Sequence, residues 1–323
     1  MKINDKIYGL VEIKDKVLIE LINSKPIQRL KGIKQAGITG HIVKDRDYTR
    51  YDHSVGVMIL LRKKQASLEE QIGGLLHDVS HTAFSHVVDF VYKTKEHNYH
   101  ELFYEKIIRN SEIPSILKKH NFNLNRLLNE NNFPLLEKEI PDLCADRIDY
   151  ALRDLDSFYT NGKPVKFIAS IVNKNDEFVF SDLETAKEFA FNFINLDEKI
   201  WANIREVAYF HIAADAIKIA LENNILKEED LFKQDNYVLD ILKNSNNKKI
   251  KEKLSLLTPN LKVINSPKKY DFYSKTKLRY VDPKFIEDGQ LKRLSDVDNL
   301  FKEKLKEHKA LISNGYYIKI ASY

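Results

Sequence analysis

Cysteine is almost absent from this chain of 323 residues, Cys144 being the only one. A lone thiol leaves no disulfide framework, which fits a reducing cytosol. Long apolar runs are missing too: none approaches the ~20 residues that a membrane helix needs. The N-terminus, Met1-Lys-Ile-Asn-Asp-Lys6, carries no apolar signal-peptide core. Strong charge of one sign is also lacking. The formal balance is +5 with scattered lysines, which suits anionic small molecules as well as nucleic acid and reads mostly as solvated surface. No internal repeat is visible. What remains, 43% hydrophobic and 31% charged residues, is ordinary for a globular protein long enough to bury a sizeable core as one domain or two. The expectation is a soluble cytoplasmic protein with no membrane association.

The chain is organised around Gly74-Leu-Leu-His77-Asp78-Val-Ser-His81-Thr-Ala-Phe-Ser-His86. Three of the ten histidines fall in this one segment. His77 and Asp78 are adjacent, so on a helix they point about 100° apart and can reach one ion only from its rim. A neutral imidazole and a carboxylate suit Mn, Fe, Ni, Zn or Mg. Two ligands seldom make a site, and an isolated His-Asp pair reads more naturally as the surface of a buried helix. Three further constellations change that balance. In Arg50-Tyr-Asp-His53-Ser-Val-Gly56, Arg50 and His53 share a face near a helix start, setting a ligand beside a side chain that grips phosphate bidentately. The patch Glu96-His97-Asn98-Tyr99-His100-Glu101 adds imidazoles able to contact phosphate or donate a proton, or to build a second metal site. In Asp146-Arg-Ile-Asp149-Tyr150-Ala-Leu-Arg153-Asp154, residues 146, 149 and 150 fall on one helix face.

Apolar periodicity predicts a mainly α fold. Helices are expected across residues 13–30, from Arg50, through a central helical region at 67–110 that carries the histidines, and after Pro141. An irregular or short-helix connection fills 111–140. The turn Asn161-Gly162-Lys-Pro164 leads to a β-hairpin at about 165–182, with strands at 167–172 and 178–180. Residues 184–245 read as helical, with His211 as a half-buried helix histidine, and 246–260 as a Lys/Asn-rich link. Strands at 276–283 and 315–323 flank a helix at 297–305. The expected organisation is a core over 1–245 and a mixed α/β segment over 246–323 packed on it.

Taken in order, Arg50-x-x-His53, His77-Asp78-x-x-His81-x-x-Phe84-Ser85-His86-x-x-Asp89, His100-Glu101 and Asp146-Arg-x-Asp149-Tyr150-x-x-Arg153-Asp154 resemble the HD-domain metal-dependent phosphohydrolases. The branch resembled is that of the deoxynucleoside triphosphate triphosphohydrolases, from about residue 5 to 245. That resemblance implies a helical HD core and one divalent metal ion (Mn, Fe, Ni, Mg or Zn) held by His53, His77, Asp78 and Asp146. It further implies Arg50 on a phosphate, His86 and Asp89 in the phosphate pocket, and His100 with a carboxylate, Glu101, as general acid. His81, Tyr150 and Asp154 would face the substrate, Tyr150 packing on its sugar. The implied reaction splits (d)NTP into nucleoside and tripolyphosphate, and the implied assembly is a homo-oligomer, dimer or tetramer. The chain departs from the family pattern at Ser80 and Thr82, where glycine is usual, and at Ala83, where proline is. Other readings are a monophosphatase or phosphodiesterase using the same site, a di-iron HD oxygenase, and a nucleotide sensor or nucleic-acid binder.

Overall fold

The computed structural model describes residues 1–92, 98–158 and 163–321. Glu96 and His97 of the second histidine patch, the Asn161-Gly162 turn and the final Tyr323 lie outside them. A hairpin, β1 (Lys2–Asp5) and β2 (Gly9–Glu12), leads through α1 (Lys16–Ile22) and α2 (Lys25–Arg29) to α3 (Arg50–Lys63). Thr49 and Asp52 cap α3 reciprocally: Thr49 N donates to Asp52 Oδ2 at 2.8 Å and Asp52 N to Thr49 Oγ1 at 3.2 Å. This cap fixes the turn that carries Arg50 and His53. Helix α4 (Leu68–Leu76) packs along α3, and a Cβ on Gly74 would come within 2.5 Å of Leu61 Cδ1. Glycine leaves Leu61 room for that approach, which brings the end of α4 beside the start of α3.

The histidine-rich segment is not the continuous helix that its spacing predicts. Helix α4 stops at Leu76, and α5 (Val87–Tyr92) begins only after a turn spanning His77–His86. Phe84 and Ser85 take left-handed backbone angles, φ 59° and 54°, at roughly 1–2 kcal/mol each. Long-range partners hold this shape. Arg29 donates to the Val79 and His81 carbonyls at 2.9 and 2.8 Å. The buried Asp235 accepts from Phe84 N at 2.7 Å, and Ala83 N donates to the Leu231 carbonyl at 2.7 Å. The turn also crosses between two apolar clusters, Val79 belonging to one and Phe84 to the other.

Helix α6 (Tyr104–Arg109) ends the expected helical region, and two short helices, α7 (Ile113–Lys119) and α8 (Leu124–Leu127), lie in the expected irregular or short-helix connection. Helix α9 (Ala145–Phe158) then lies across α3 with Ile148, Leu152 and Leu155 fully buried. The hairpin is shorter than expected. Residues 163–170 form helix α10 (Lys163–Ser170), with Phe167 in the core, and the strands are only β3 (Ile171–Asn173) and β4 (Phe178–Phe180). Helix α11 (Leu183–Leu196) passes through a π-helical turn (Asp197–Trp201) into α12 (Ile204–Glu222) and then α13 (Asp235–Asn244). The Lys/Asn-rich segment is not a link but carries α14 (Lys248–Leu256), capped by Asn247 and anchored by the buried Ile250.

The C-terminal part holds β5 (Val263–Asn265), β6 (Phe272–Ser274), β7 (Lys284–Glu287), β8 (Gln290–Arg293), α15 (Leu294–Val297), α16 (Asn299–Ser313) and β9 (Tyr316–Ile320). One sheet has the order β3-β4-β7-β8, joined by the parallel pair Phe180–Phe285; another has the order β5-β9-β6. Residues 275–283 form no strand, contrary to expectation, and run as an extended strap between β6 and β7. No helix among the described residues is long and apolar enough to cross a membrane.

Candidate metal centre and its cavity

Four side chains from three places in the chain converge: His53 from α3, His77 and Asp78 from the turn after α4, and Asp146 from the first turn of α9. His53 Nε2 lies 2.9 Å from Asp146 Oδ1, 3.3 Å from His77 Nε2 and 3.6 Å from Asp78 Oδ2. His77 Nε2 is 3.6 Å from both Asp78 Oδ1 and Asp146 Oδ1. The other ring nitrogens are already engaged. His77 Nδ1 donates to the Gly74 carbonyl at 2.8 Å, and His53 Nδ1 donates to Asp149 Oδ2 at 2.8 Å. Both imidazoles therefore turn Nε2 lone pairs toward one point between two carboxylates. Burial disfavours charge on His77, yet Asp78, Asp146 and the Gly74 carbonyl outweigh it and raise its pKa to about 10. The Asp78 and Asp146 carboxylates facing the two Nε2 atoms make this point electronegative. Two imidazoles and two carboxylates fit a divalent ion and leave coordination room for water and a phosphate oxygen.

Behind the ligands stands a second layer. Asp149, fully buried, takes hydrogen bonds from His53, from Tyr8 Oη at 2.8 Å and from Arg153 Nε at 2.8 Å, while Arg153 also pairs with Asp5 at 2.8 Å. Burial alone would raise the Asp149 carboxyl, but Arg153 and His53 hold it down. Gly56 makes the space: a Cβ there would fall 2.0 Å from Arg153 Nη2 and 2.2 Å from Asp149 Oδ1. Such carboxylate–histidine arrangements fix ring orientation and raise ligand basicity.

Arg50 is tied down as well, donating from Nη1 to Asp78 Oδ2 at 2.7 Å and from Nε to Ser85 Oγ at 3.0 Å. Against the cost of burial it keeps Asp78 well below the usual carboxylate range, helped by His77 and His81. Next to Asp78 lie three imidazoles. His81 Nε2 is 3.2 Å from Asp78 Oδ1, and its ring stacks on His100 with centroids 3.7 Å apart. His86 directs Nδ1 to Asp89 Oδ2 at 2.9 Å, and Asp89 also accepts from Tyr99 N at 2.8 Å. Burial, with the positive charges of His86 and Arg50 nearby, lowers His100 to about 3. Among the described residues no carboxylate hydrogen-bonds His100, and Glu101 is exposed at the rim. The imidazole with an orienting carboxylate is thus His86.

These groups line a cavity of about 840 Å³, the size of a site for a small-molecule ligand. All of the sequence-predicted site residues border it except His53 and Asp89, which stand behind the wall. Tyr150 meets Trp201 edge-on with centroids 5.1 Å apart, and Trp201 Nε1 donates to Asp154 Oδ2 at 2.6 Å. Several lining residues carry no motif: Glu137, Arg46, Trp201, Lys277 and Arg279. Glu137 is exposed at the cavity rim, and the nearby Asp146 carboxylate pushes the Glu137 carboxyl upward. No local spacing announces such residues; the sequence proximity of Arg46 to the Arg50 motif and of Glu137 to the Asp146 motif is the usable signal.

A family profile described as HD domain matches residues 50–154. The chain is 39% identical to an uncharacterized protein of Bacillus subtilis, YdhJ, over 99% of both. It is 35% identical to the metal-dependent phosphohydrolase cns2 of Cordyceps militaris, over 71% of this chain and 69% of that one. A shorter match, 34% identical over 27% of this chain and 16% of the relative, is to the deoxynucleoside triphosphate triphosphohydrolase SAMHD1 of Xenopus laevis. A solved phosphohydrolase from Bacteroides thetaiotaomicron shares the fold at 19% identity, with a TM-score of 0.70 and full coverage of both chains.

Proposed function

This chain belongs to the HD-domain metal-dependent phosphohydrolases, and we propose that it hydrolyses (deoxy)nucleoside triphosphates to nucleoside and tripolyphosphate. The observation that carries the reading is the pair of Nε2 lone pairs, on His53 and His77, aimed between Asp78 and Asp146 at the edge of a cavity of about 840 Å³. In this reading His53, His77, Asp78 and Asp146 hold one divalent ion. When bound, such an ion polarises a phosphoryl oxygen and lowers the pKa of a water. Arg50 keeps Asp78 anionic and offers the rest of its guanidinium to a phosphate oxygen. Water adds its hydroxyl to the α-phosphorus, the bond to the nucleoside oxygen breaks, and that oxygen takes a proton. His86, aligned by Asp89, is the better-placed donor, and His100 stands beside it; phosphate charge entering the cavity would raise both from their depressed values. Tyr150 and Trp201 offer flat apolar surface to a sugar or base, with Asp154 as acceptor.

A screen of dNTPs, NTPs, nucleoside monophosphates and cyclic nucleotides with Mn or Mg tests this, with Asp78→Ala as the control. Nucleoside plus tripolyphosphate, lost in the variant, supports it. Orthophosphate from monophosphates would keep the site and change the substrate. A second reading has one observation behind it: ligand atoms of Asp78, His81 and His100 lie within 4.8 Å of one another, so Asp78 could bridge two ions. Two irons per chain without phosphate turnover would favour that oxygenase-like alternative. Self-association as a dimer or tetramer is expected from the resemblance and is read by light scattering.

A further inference from the structure

Four arginines line the cavity, and three are committed. Arg46 pairs with Glu206 at 3.0 Å, Arg50 with Asp78 at 2.7 Å, and Arg147 with Glu137 at 3.2 Å. The fourth, Arg279, has no carboxylate within ion-pair distance among the described residues. Its guanidinium makes one long hydrogen bond, from Nη1 to the Lys277 carbonyl at 3.5 Å. It lines the same cavity as His86, Tyr150 and Asp154.

The backbone of Arg279 is held more firmly than its side chain. His308 of α16 is fully buried and directs Nε2 to the Arg279 carbonyl at 3.0 Å and to Asp197 Oδ2 at 3.3 Å. Its Nδ1 faces Glu198 Oε1 at 3.2 Å, which Lys304 also reaches at 2.9 Å. Asp197, likewise fully buried, accepts from Arg279 N at 3.5 Å. Lys309 lies 4.0 Å above the ring of Tyr280, the next residue along the strap. Asp197 opens the same π-helical turn that ends in Trp201, so one irregular turn touches the strap at one end and the cavity at the other. Such turns recur at functional sites. Ionic groups buried this deeply add little net stability, so their use here calls for a role in positioning.

We propose that Arg279 is the anion anchor giving this cavity its preference for a polyphosphate chain over a single phosphate, and that the Asp197–Glu198–His308 group positions it. The proposal rests on the phosphohydrolase reading for its substrate class. Arg279 acts as a planar donor fork to oxygens beyond the phosphate nearest Asp78, and Lys277 adds charge at the rim. His308 is a positioning residue and touches no substrate.

The test is calorimetric titration of the Mn-loaded full chain with inorganic tripolyphosphate and, separately, orthophosphate. Wild type is compared with Arg279→Gln, Arg279→Lys, His308→Gln and the double variant combining Arg279→Gln with His308→Gln. Arg279→Gln should weaken tripolyphosphate about tenfold or more, as expected for a lost charged hydrogen-bonding fork, and orthophosphate far less; the lysine variant should recover part. His308→Gln should weaken tripolyphosphate in the same direction, raise KM much more than it lowers kcat, and add nothing once Arg279 is already replaced. If His308→Gln does not fold, Glu198→Gln, at a partly exposed position, repeats this arm. Equal tripolyphosphate affinity in wild type and Arg279→Gln, or no binding by wild type, overturns the anchor. Additive losses in the double variant overturn the positioning role. Should no phosphate ester be turned over while the Arg279 effect persists, the anchor stands and the proposed hydrolysis fails.

Discussion

The cavity has two walls built on opposite plans. On the ligand wall the side chains are fixed by hydrogen bonds: His53 by Asp149, Asp149 by Arg153 and Tyr8, Arg153 by Asp5, and His77 by the Gly74 carbonyl. On the strap wall the backbone is fixed by His308 and Asp197, while the Arg279 and Lys277 side chains have no carboxylate partner among the described residues. An ion tolerates little error in ligand position, so its wall is over-determined. A flexible anion needs charge within reach, and a held backbone with a free guanidinium provides it. Damage should therefore be severe and localised on the first wall and graded on the second.

The largest effect is expected at the ligands. Asp146→Ala removes an anion from between two imidazoles, so bound metal and turnover should fall to background while far-ultraviolet circular dichroism stays native. Retained metal with full turnover would break the contrast at its root. Asp149→Asn leaves all four ligands in place but weakens what holds His53, and should cost about 10–100-fold in metal affinity, read by competition with a chelator. Gly56→Ala acts on the same layer through volume alone. With Arg153 and Asp149 forced aside it should destabilise the fold by about 1–3 kcal/mol in denaturant titration and weaken the metal together with stability.

Between the walls, the His86–Asp89 pair makes a prediction in pH. Burial would raise the Asp89 carboxyl, but the His86 hydrogen bond and charge and the Tyr99 amide lower it to about 2. A carboxylate whose folded pKa lies below its unfolded one contributes stability above the unfolded value, and loses it as pH falls toward the folded value. That contribution is about 2 kcal/mol at neutral pH. Wild type should thus exceed Asp89→Asn in stability at pH 7, and the gap should close between about pH 4 and pH 2. A gap constant across that range would show that the pair is not linked to folding.

The same contrast explains what can be read from the sequence. His53, His77, Asp78 and Asp146 stand in separate short motifs that only the family resemblance joins into one set, and the folded chain brings the four side chains together. The turn at His77–His86 reads as helix in the sequence because its shape depends on Arg29 and Asp235, far away in the chain, and no local spacing records that. The segment 246–260 hides α14 because lysines and asparagines mask a single buried anchor, Ile250. Arg279 is invisible for a related reason. Its neighbours read as a strand, and its importance lies in lacking a carboxylate partner among the described residues, which only the folded chain reveals.

The smallest expected effect is also the most discriminating. Trp201→Phe keeps an aromatic ring beside Tyr150 and removes one donor, the Nε1–H that reaches Asp154 Oδ2 at 2.6 Å. Burial already raises the Asp154 carboxyl, and Arg46 and the indole donor oppose it. Without that donor a buried carboxylate loses a partner, at about 1–3 kcal/mol, and some of that loss is relieved if Asp154 takes up a proton. If Asp154 faces the substrate, KM for the nucleotide should rise several-fold, roughly in line with ~1 kcal/mol, with metal content unchanged and the KM difference shrinking at lower pH. If Asp154 merely braces the π-helical turn, stability would fall while KM held steady. The first result would make the π-helical turn part of the binding surface, and the second would leave substrate recognition to Tyr150 and the strap.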